Sequence, residues 1–178
     1  MEEKEFTLSI FTEDKIGLIS RVVAIFTRRH LNLSSLNASE SSIKGIYRFT
    51  IVLDCTEVMV KKLAGQLDKQ VDIIKAFYYE NKDVVYQELA LFKVPTHIFS
   101  NGHAVEKLIR SYNARILSVE PEYIVIEKTG HKNETDALLA ELEKTGVYEF
   151  VRSGRVAVTK PMEQLNAYLK SVGIDELN

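Results

Sequence analysis

Hydrophobic spacing along this chain switches from two-residue alternation to helical spacing and back, in the same order twice. That repeat limits the folds open to it. Phe6, Leu8 and Ile10 alternate with Thr7 and Ser9, the mark of a half-buried strand. A polar stretch with a glycine follows at 12–17. Leu18, Ile19, Val22, Val23, Ile25 and Phe26 then recur at helical spacing, which predicts a helix running to about His30. Arg28 and Arg29 gather at its end, where positive charge suits the helix dipole. Leu31 and Leu33 open a second strand that runs toward Ser39. Residues 40–45 form a polar turn region. Tyr47, Phe49, Ile51 and Leu53 mark a third strand. Val60, Leu63, Ala64 and Leu67 place a second helix over 57–69, and the β-branched and aromatic residues of 71–79 give a fourth strand.

Glu80-Asn81-Lys82-Asp83 breaks the pattern, and the order then restarts. Strands are predicted at 86–95, 114–119, 123–127 and 147–151. Helices are predicted around Ala104, Val105, Leu108, Ile109 and Tyr112, and around Ala137, Leu138, Leu139 and Leu142. A further strand is read at 156–159. Pro161 then suits the first position of a last helix carrying Leu165, Tyr168 and Leu169. Strand, helix, strand, strand, helix, strand is the split β-α-β order of a ferredoxin-like sandwich. The expected class is therefore α+β, with two such sandwiches at 1–80 and 84–178. In each, two helices cover one face of a four-stranded antiparallel sheet, leaving the other face polar or covered by something else.

Charge and composition exclude several classes. A formal charge of −2 gives no basic excess for a phosphate backbone, so nucleic acid is not an expected partner. Cys55 is the only cysteine, so no intrachain disulfide can form, which fits a reducing compartment. Met1 leads into Glu2-Glu3-Lys4-Glu5 rather than into a basic segment and an apolar core. The apolar runs are too short to span a bilayer. The expectation is a cytoplasmic protein with no membrane partner.

The segment Asp14-Lys15-Ile16-Gly17-Leu18-Ile19-Ser20-Arg21 carries the chemistry. It joins a strand end to a helix start through a glycine. The first amides of a helix lack internal acceptors and, with the dipole, favour an anion such as a free amino acid's carboxylate. Gly17 lets a ligand approach the backbone. Asp14 suits either capping the helix or pairing with a ligand ammonium. Asn32 adds an amide that both donates and accepts. Turn-and-cap patterns of this kind are common, so the residues alone leave a plain structural loop as the alternative.

Asp14 with Gly17-Leu18-Ile19-Ser20-Arg21-Val22, then Ile25-Phe26-Thr27-Arg28-Arg29 and Asn32-Leu33-Ser34-Ser35-Leu36, resembles the N-terminal signature of acetolactate synthase regulatory subunits. The resemblance continues through 66–74, 88–94, 135–138 and 149–157, so it spans nearly the whole chain in order. It implies an N-terminal ACT domain, the small-molecule-binding form of the ferredoxin-like fold. It implies a homodimer through the ACT domains, whose sheets join edge to edge around a branched-chain amino acid, typically valine. By this resemblance the effector contacts fall on Asp14, Lys15, Ile16, Gly17, Leu18, Ile19, Asn32 and Leu33. The C-terminal domain is implied to contact the catalytic large subunit and to transmit the signal. No cofactor is implied for this chain; thiamine diphosphate, magnesium and FAD belong to that catalytic partner. The family usually has asparagine at the position of Asp14, and often glycine and an aromatic at those of His30 and Leu31. An ionised aspartate pairs with an ammonium but cannot donate to a carboxylate.

Other chemistry is weaker. His30, His97, His103 and His131 show no metal-ligand spacing. A small enzyme using His97 or His103, and a free-standing ACT-type sensor serving another enzyme or a transcription factor, are the readings from other classes. Lys44-Gly45-Ile46-Tyr47-Arg48-Phe49-Thr50-Ile51 is similar to the aromatic strand of RNA-recognition domains. Arg48 replaces the small residue between the aromatics, however, and Tyr47 and Phe49 share a face that is more simply the core under the helices.

Overall fold

The computed structural model describes residues 2–101, 103–160, 167, 168 and 170, and the chain forms two compact units. The first holds β1 (Lys4–Glu13), α1 (Leu18–Thr27), β2 (Ser35–Glu40), β3 (Ile46–Cys55), α2 (Glu57–Leu67) and β4 (Ile73–Glu80). Its strands lie in the order β2-β3-β1-β4, with every neighbour antiparallel. Phe6, Leu8 and Ile10 of β1 and Phe49, Ile51 and Leu53 of β3 are buried beneath Leu18, Val22, Ile25 and Phe26 of α1 and Val60, Leu63 and Leu67 of α2. This is the ferredoxin-like order, with the core on the face that the alternation marked.

Element ends follow from local chemistry. Thr56 caps α2, its side chain accepting from the Met59 N–H at 3.3 Å. The Asp68 carboxylate stops the same helix and accepts from the Ala76 N–H (2.7 Å) and Lys75 Nζ (2.7 Å), which ties the helix end to β4. The fourth strand therefore starts at Ile73. Val71, read as part of it, sits in the turn and is 95 % exposed. Helix α1 stops at Thr27 rather than near His30, because His30 has a φ of 55°. A left-handed residue ends a helix, and glycine fits it best. Replacing His30 by Gly is expected to stabilise the chain by about 0.5–1 kcal/mol, the left-handed cost of roughly 1–2 kcal/mol less the extra entropy of glycine. Thermal unfolding of the two forms checks this.

The other face of the first sheet is mixed, with Phe11, Val52, Phe77 and Tyr79 beside hydroxyl groups and Arg48. Thr7, Ser9 and Thr50 are buried there, and buried hydroxyls need partners. Arg155 supplies one. It is 3 % exposed and donates to Thr7 Oγ1 (2.8 Å), Asn81 Oδ1 (3.0 Å) and Glu5 Oε1 (2.6 Å), while its backbone N–H donates to Ser35 Oγ at 2.8 Å. Arg48 bonds Ser9 Oγ (2.9 Å) and the Ala157 carbonyl (2.7 Å). A boundary at 80–84 assigns everything downstream to the second domain. By packing, residues 155–160, with β9 (Val156–Thr159), lie in the first unit: Arg155 and the Ala157 carbonyl partner polar groups of that sheet face, while β9 pairs with β5.

The second unit repeats the plan: β5 (Val84–Pro95, which begins in the first unit), α3 (His103–Ser111), β6 (Arg115–Val119), β7 (Tyr123–Gly130), α4 (Lys132–Glu143) and β8 (Glu149–Arg152). The sheet order is β6-β7-β5-β8. Ala90, Phe92, Val94, Ile124 and Ile126 pack under Val105, Ile109, Leu138 and Leu142. Asn113, with a φ of 50°, ends α3 as His30 ends α1. Strand β7 runs three residues beyond the sequence reading. It ends where the His131 N–H donates to Glu134 Oε2 at 2.7 Å and starts α4. Of the anticipated last helix, Ala167, Tyr168 and Lys170 are helical; Pro161, Leu165 and Leu169 lie outside the described residues. Among the described residues no helix is long and apolar enough to cross a membrane.

Candidate amino-acid site at the opening of the first helix

Strand β1 delivers the chain into the loop, and two backbone bonds hold it there. The Glu13 N–H donates to the Asp72 carbonyl (3.3 Å) and the Asp14 N–H to the Gly45 carbonyl (3.0 Å). Gly17 is the cap position of α1, at φ 82° and ψ 2°, with no side-chain cap. The capping role considered for Asp14 thus does not occur. The Leu18 N–H lies 3.4 Å from the Lys15 carbonyl, and the Arg21 N–H bonds Gly17 O at 3.3 Å. Among the described residues, the Ile19 and Ser20 amides between them have no backbone acceptor. No acidic side chain stands in the first turn to neutralise the dipole. The space where a Gly17 side chain would stand is open.

Asp14, Lys15, Ile16, Gly17 and Ile19 are exposed, while Leu18 turns inward to the core. Ile16 is 101 % and Ile19 53 % exposed, an unusual pair of outward aliphatic groups beside unpaired amides. Lys15 is folded back between Glu13 (2.7 Å) and Asp72 (3.0 Å), and Arg21 also pairs with Asp72. Glu13 first, then Asp72, raise the Lys15 pKa; Lys15 first, with Arg21, holds the Asp72 carboxyl below its ordinary 3.8. A depressed carboxyl stabilises the folded chain above its unfolded pKa, and that contribution is lost as pH falls through the lower folded value. Wild type and Asp72→Asn should therefore differ in melting temperature at pH 6, with the difference beginning to shrink only below about pH 4 and vanishing below the depressed folded value. Sequence reading missed Asp72, because only the pairing of β4 with β1 brings it to the loop.

Asn32 and Leu33 are not brought to this loop within one chain. Ser35 stands opposite Val52, itself opposite Thr7, whereas the loop continues from Glu13, opposite Ile46. Thr7 and Glu13 are six residues apart along β1, about 20 Å at the usual strand rise. The exposed Asn32 therefore lies at the other end of the sheet. Leu33 packs at the edge of the core.

The remaining candidates have structural settings. His131 meets the Tyr86 ring edge-on, centroids 4.4 Å apart. His97 lines a shallow cleft of about 570 Å³ in the second unit with Lys93, Thr96, Pro121, Glu122, Tyr123 and Tyr148. The His103 side chain is outside the described set. Cys55 is buried, and burial pushes its thiol pKa up, which disfavours the reactive thiolate. Phe49 is buried and Tyr47 packs on the core beneath the helices, so these aromatics are not a surface for stacking bases.

Two family models match the chain. The AHAS small subunit-like ACT domain covers residues 8–75, and the small subunit of acetolactate synthase covers 87–161. The acetolactate synthase small subunit of Mycobacterium bovis is 34 % identical over 160 residues, 90 % of this chain and 95 % of the relative. The chain belongs to the acetolactate synthase small-subunit family. The Bacillus subtilis small subunit is 29 % identical over 168 residues, covering 94 % of this chain and 97 % of its own length. The crystal structure of the acetolactate synthase small subunit from Thermotoga maritima aligns with a TM-score of 0.81 at 26 % identity, over 90 % of this chain and 99 % of that one. The small-subunit match therefore spans both sandwiches, and the ACT-domain match contains the whole helix-opening loop, Asn32 and Leu33.

Proposed function

We propose that this chain is a non-catalytic regulatory subunit that docks on the catalytic subunit of acetolactate synthase and places its activity under a branched-chain amino acid. One observation carries the effector half of this reading: the Ile19 and Ser20 amides stand without backbone acceptors beside a side-chain-free Gly17, at the positive end of α1. They suit a carboxylate. The exposed Asp14 suits the ammonium of the same ligand, and Ile16 and Ile19 suit an aliphatic side chain.

The split of the site residues favours a dimer. Strand β2 is an edge strand with exposed backbone groups. A two-fold axis perpendicular to the sheet at that edge runs the two β2 strands antiparallel. The Asn32 end of one copy then meets the loop end of the other, completing the site from two chains. Ligand binding at that seam favours one assembly state, and by linkage the partner's activity shifts with it. The thiamine diphosphate, magnesium and FAD of the reaction belong on this reading to the catalytic subunit, and both proteins to the cytoplasm.

The test is an acetolactate synthase assay on the catalytic subunit with and without this chain, across valine, leucine and isoleucine. The expected result is activation by the chain and a concentration-dependent response to at least one amino acid. Unchanged activity, with no co-elution of the two proteins, would leave a free-standing sensor as the better description.

A further inference from the structure

The cleft of about 570 Å³ in the second unit takes all of its walls from that unit. Strand β5 ends there at Pro95, the β6–β7 hairpin turns there, and the chain comes back there to enter β8. Backbone acceptors hold these three segments together. The Thr96 N–H donates to the Glu122 carbonyl (3.2 Å), Thr96 Oγ1 to the Glu120 carbonyl (3.1 Å) and the Tyr148 N–H to the Lys93 carbonyl (2.8 Å). The fold itself therefore keeps the cleft open, and its volume is in the ordinary range for a small molecule.

Two opposite charges line this cleft without using each other. Lys93 stands opposite Glu149 in the β5–β8 pairing, but its Nζ sits over the Tyr123 ring instead, 4.3 Å from the centroid. The exposed Glu122 side chain has no hydrogen bond or ion pair among the described residues. A cation and a carboxylate left unpaired in one cleft match the two ends of a zwitterion. The rest of the lining is flat. The Tyr148 ring is 63 % exposed, Tyr123 and Pro121 stand with it, and among the described residues no leucine, isoleucine or valine lines the cleft. Such rings favour an aromatic side chain, which stacks offset or meets them edge-on, over a branched aliphatic one. His97 adds a ring nitrogen able to donate to a carboxylate.

We propose that this cleft is a second ligand site, for a free aromatic α-amino acid, with Lys93 on the carboxylate, Glu122 on the ammonium and Tyr148 against the ring. It shares no residue with the loop that opens α1, and it stands whether or not that loop binds a branched-chain amino acid. Side-chain shape separates the two: outward isoleucines at the loop, tyrosines in the cleft.

The experiment is an ¹⁵N NMR titration of the full chain with L-phenylalanine, L-tyrosine and L-tryptophan, followed by calorimetry of the one that binds. Saturating shifts are expected at Lys93, Thr96, His97, Glu122, Tyr123 and Tyr148, with residues 14–20 unmoved. Lys93→Gln and Glu122→Gln should each weaken binding by about tenfold or more, the ordinary loss when one charge-assisted bond goes. Tyr148→Ala should weaken it by about threefold or more. Glu122 and Tyr148 are exposed, so their replacement does not endanger the fold. Two further ligands separate the two ends. N-acetyl-L-phenylalanine keeps the carboxylate without the ammonium, as a peptide C-terminus does, and L-phenylalaninamide keeps the ammonium without the carboxylate. Each should bind at least about tenfold more weakly than phenylalanine. No shifts in the cleft up to the solubility limit of all three amino acids would overturn the proposal. So would N-acetylphenylalanine binding as tightly as phenylalanine, valine filling the cleft equally well, or affinity unchanged in both Lys93→Gln and Glu122→Gln.

Discussion

Replacing Gly17 by valine is expected to abolish the amino-acid response while leaving the chain folded. At φ 82° a residue with a Cβ is strained by roughly 1–2 kcal/mol, and a β-branched one by more. Nothing lies within 4 Å of the Cβ position, so no clash with the core follows. The strain is relieved by turning the loop, which moves the Ile19 and Ser20 amides off a bound carboxylate. Two hydrogen bonds to a charged group are worth about 1.5–3 kcal/mol each, so losing both weakens binding at least about 100-fold. Calorimetry on wild type, Gly17→Ala and Gly17→Val should rank them in that order. Circular dichroism should be unchanged, with melting lowered by only a few degrees.

Phe26→Ala should have the largest effect on stability. Phe26 is 1 % exposed and joins α1 to the sheet core beside Val22 and Ile25. Truncating a buried phenylalanine costs about 3–5 kcal/mol through lost transfer energy and the cavity left behind. Against the roughly 5–15 kcal/mol total of an ordinary domain, that is a large share. Because the same side chain seats α1, amino-acid binding should weaken with it. Urea unfolding should show the midpoint falling at constant slope. Val58→Ala, on the exposed side of α2, should stay within about 0.5 kcal/mol of wild type.

Much of the architecture was legible because burial on one sheet face enforces alternation. Phe6, Leu8, Ile10, Phe49, Ile51 and Leu53 all fall where the period puts them. The helix stops were not legible. His30 carries no glycine signal at a left-handed position, and Val71 looks like strand although the Asp68 contacts delay β4 to Ile73. The opening of α1 was visible as a glycine between a strand and a helix. Its ion-pair frame of Glu13, Lys15, Arg21 and Asp72 was not, because Asp72 arrives only through the β1–β4 pairing. Arg155 was hidden for a stronger reason: its partners Thr7, Ser35 and Asn81 are between 74 and 148 residues away in sequence. Periodicity reports which face is buried but not which distant segment satisfies its polar groups.

The central claim is that the amides opening α1 grip a small zwitterion. An ¹⁵N NMR titration of the full chain with valine, leucine and isoleucine in turn tests it most directly. At least one of them should shift the amides of Leu18, Ile19 and Ser20, together with Asn32 across the proposed seam between two copies, and saturate with a single affinity. Saturating shifts confined to the second unit, with residues 14–20 unmoved, would contradict it.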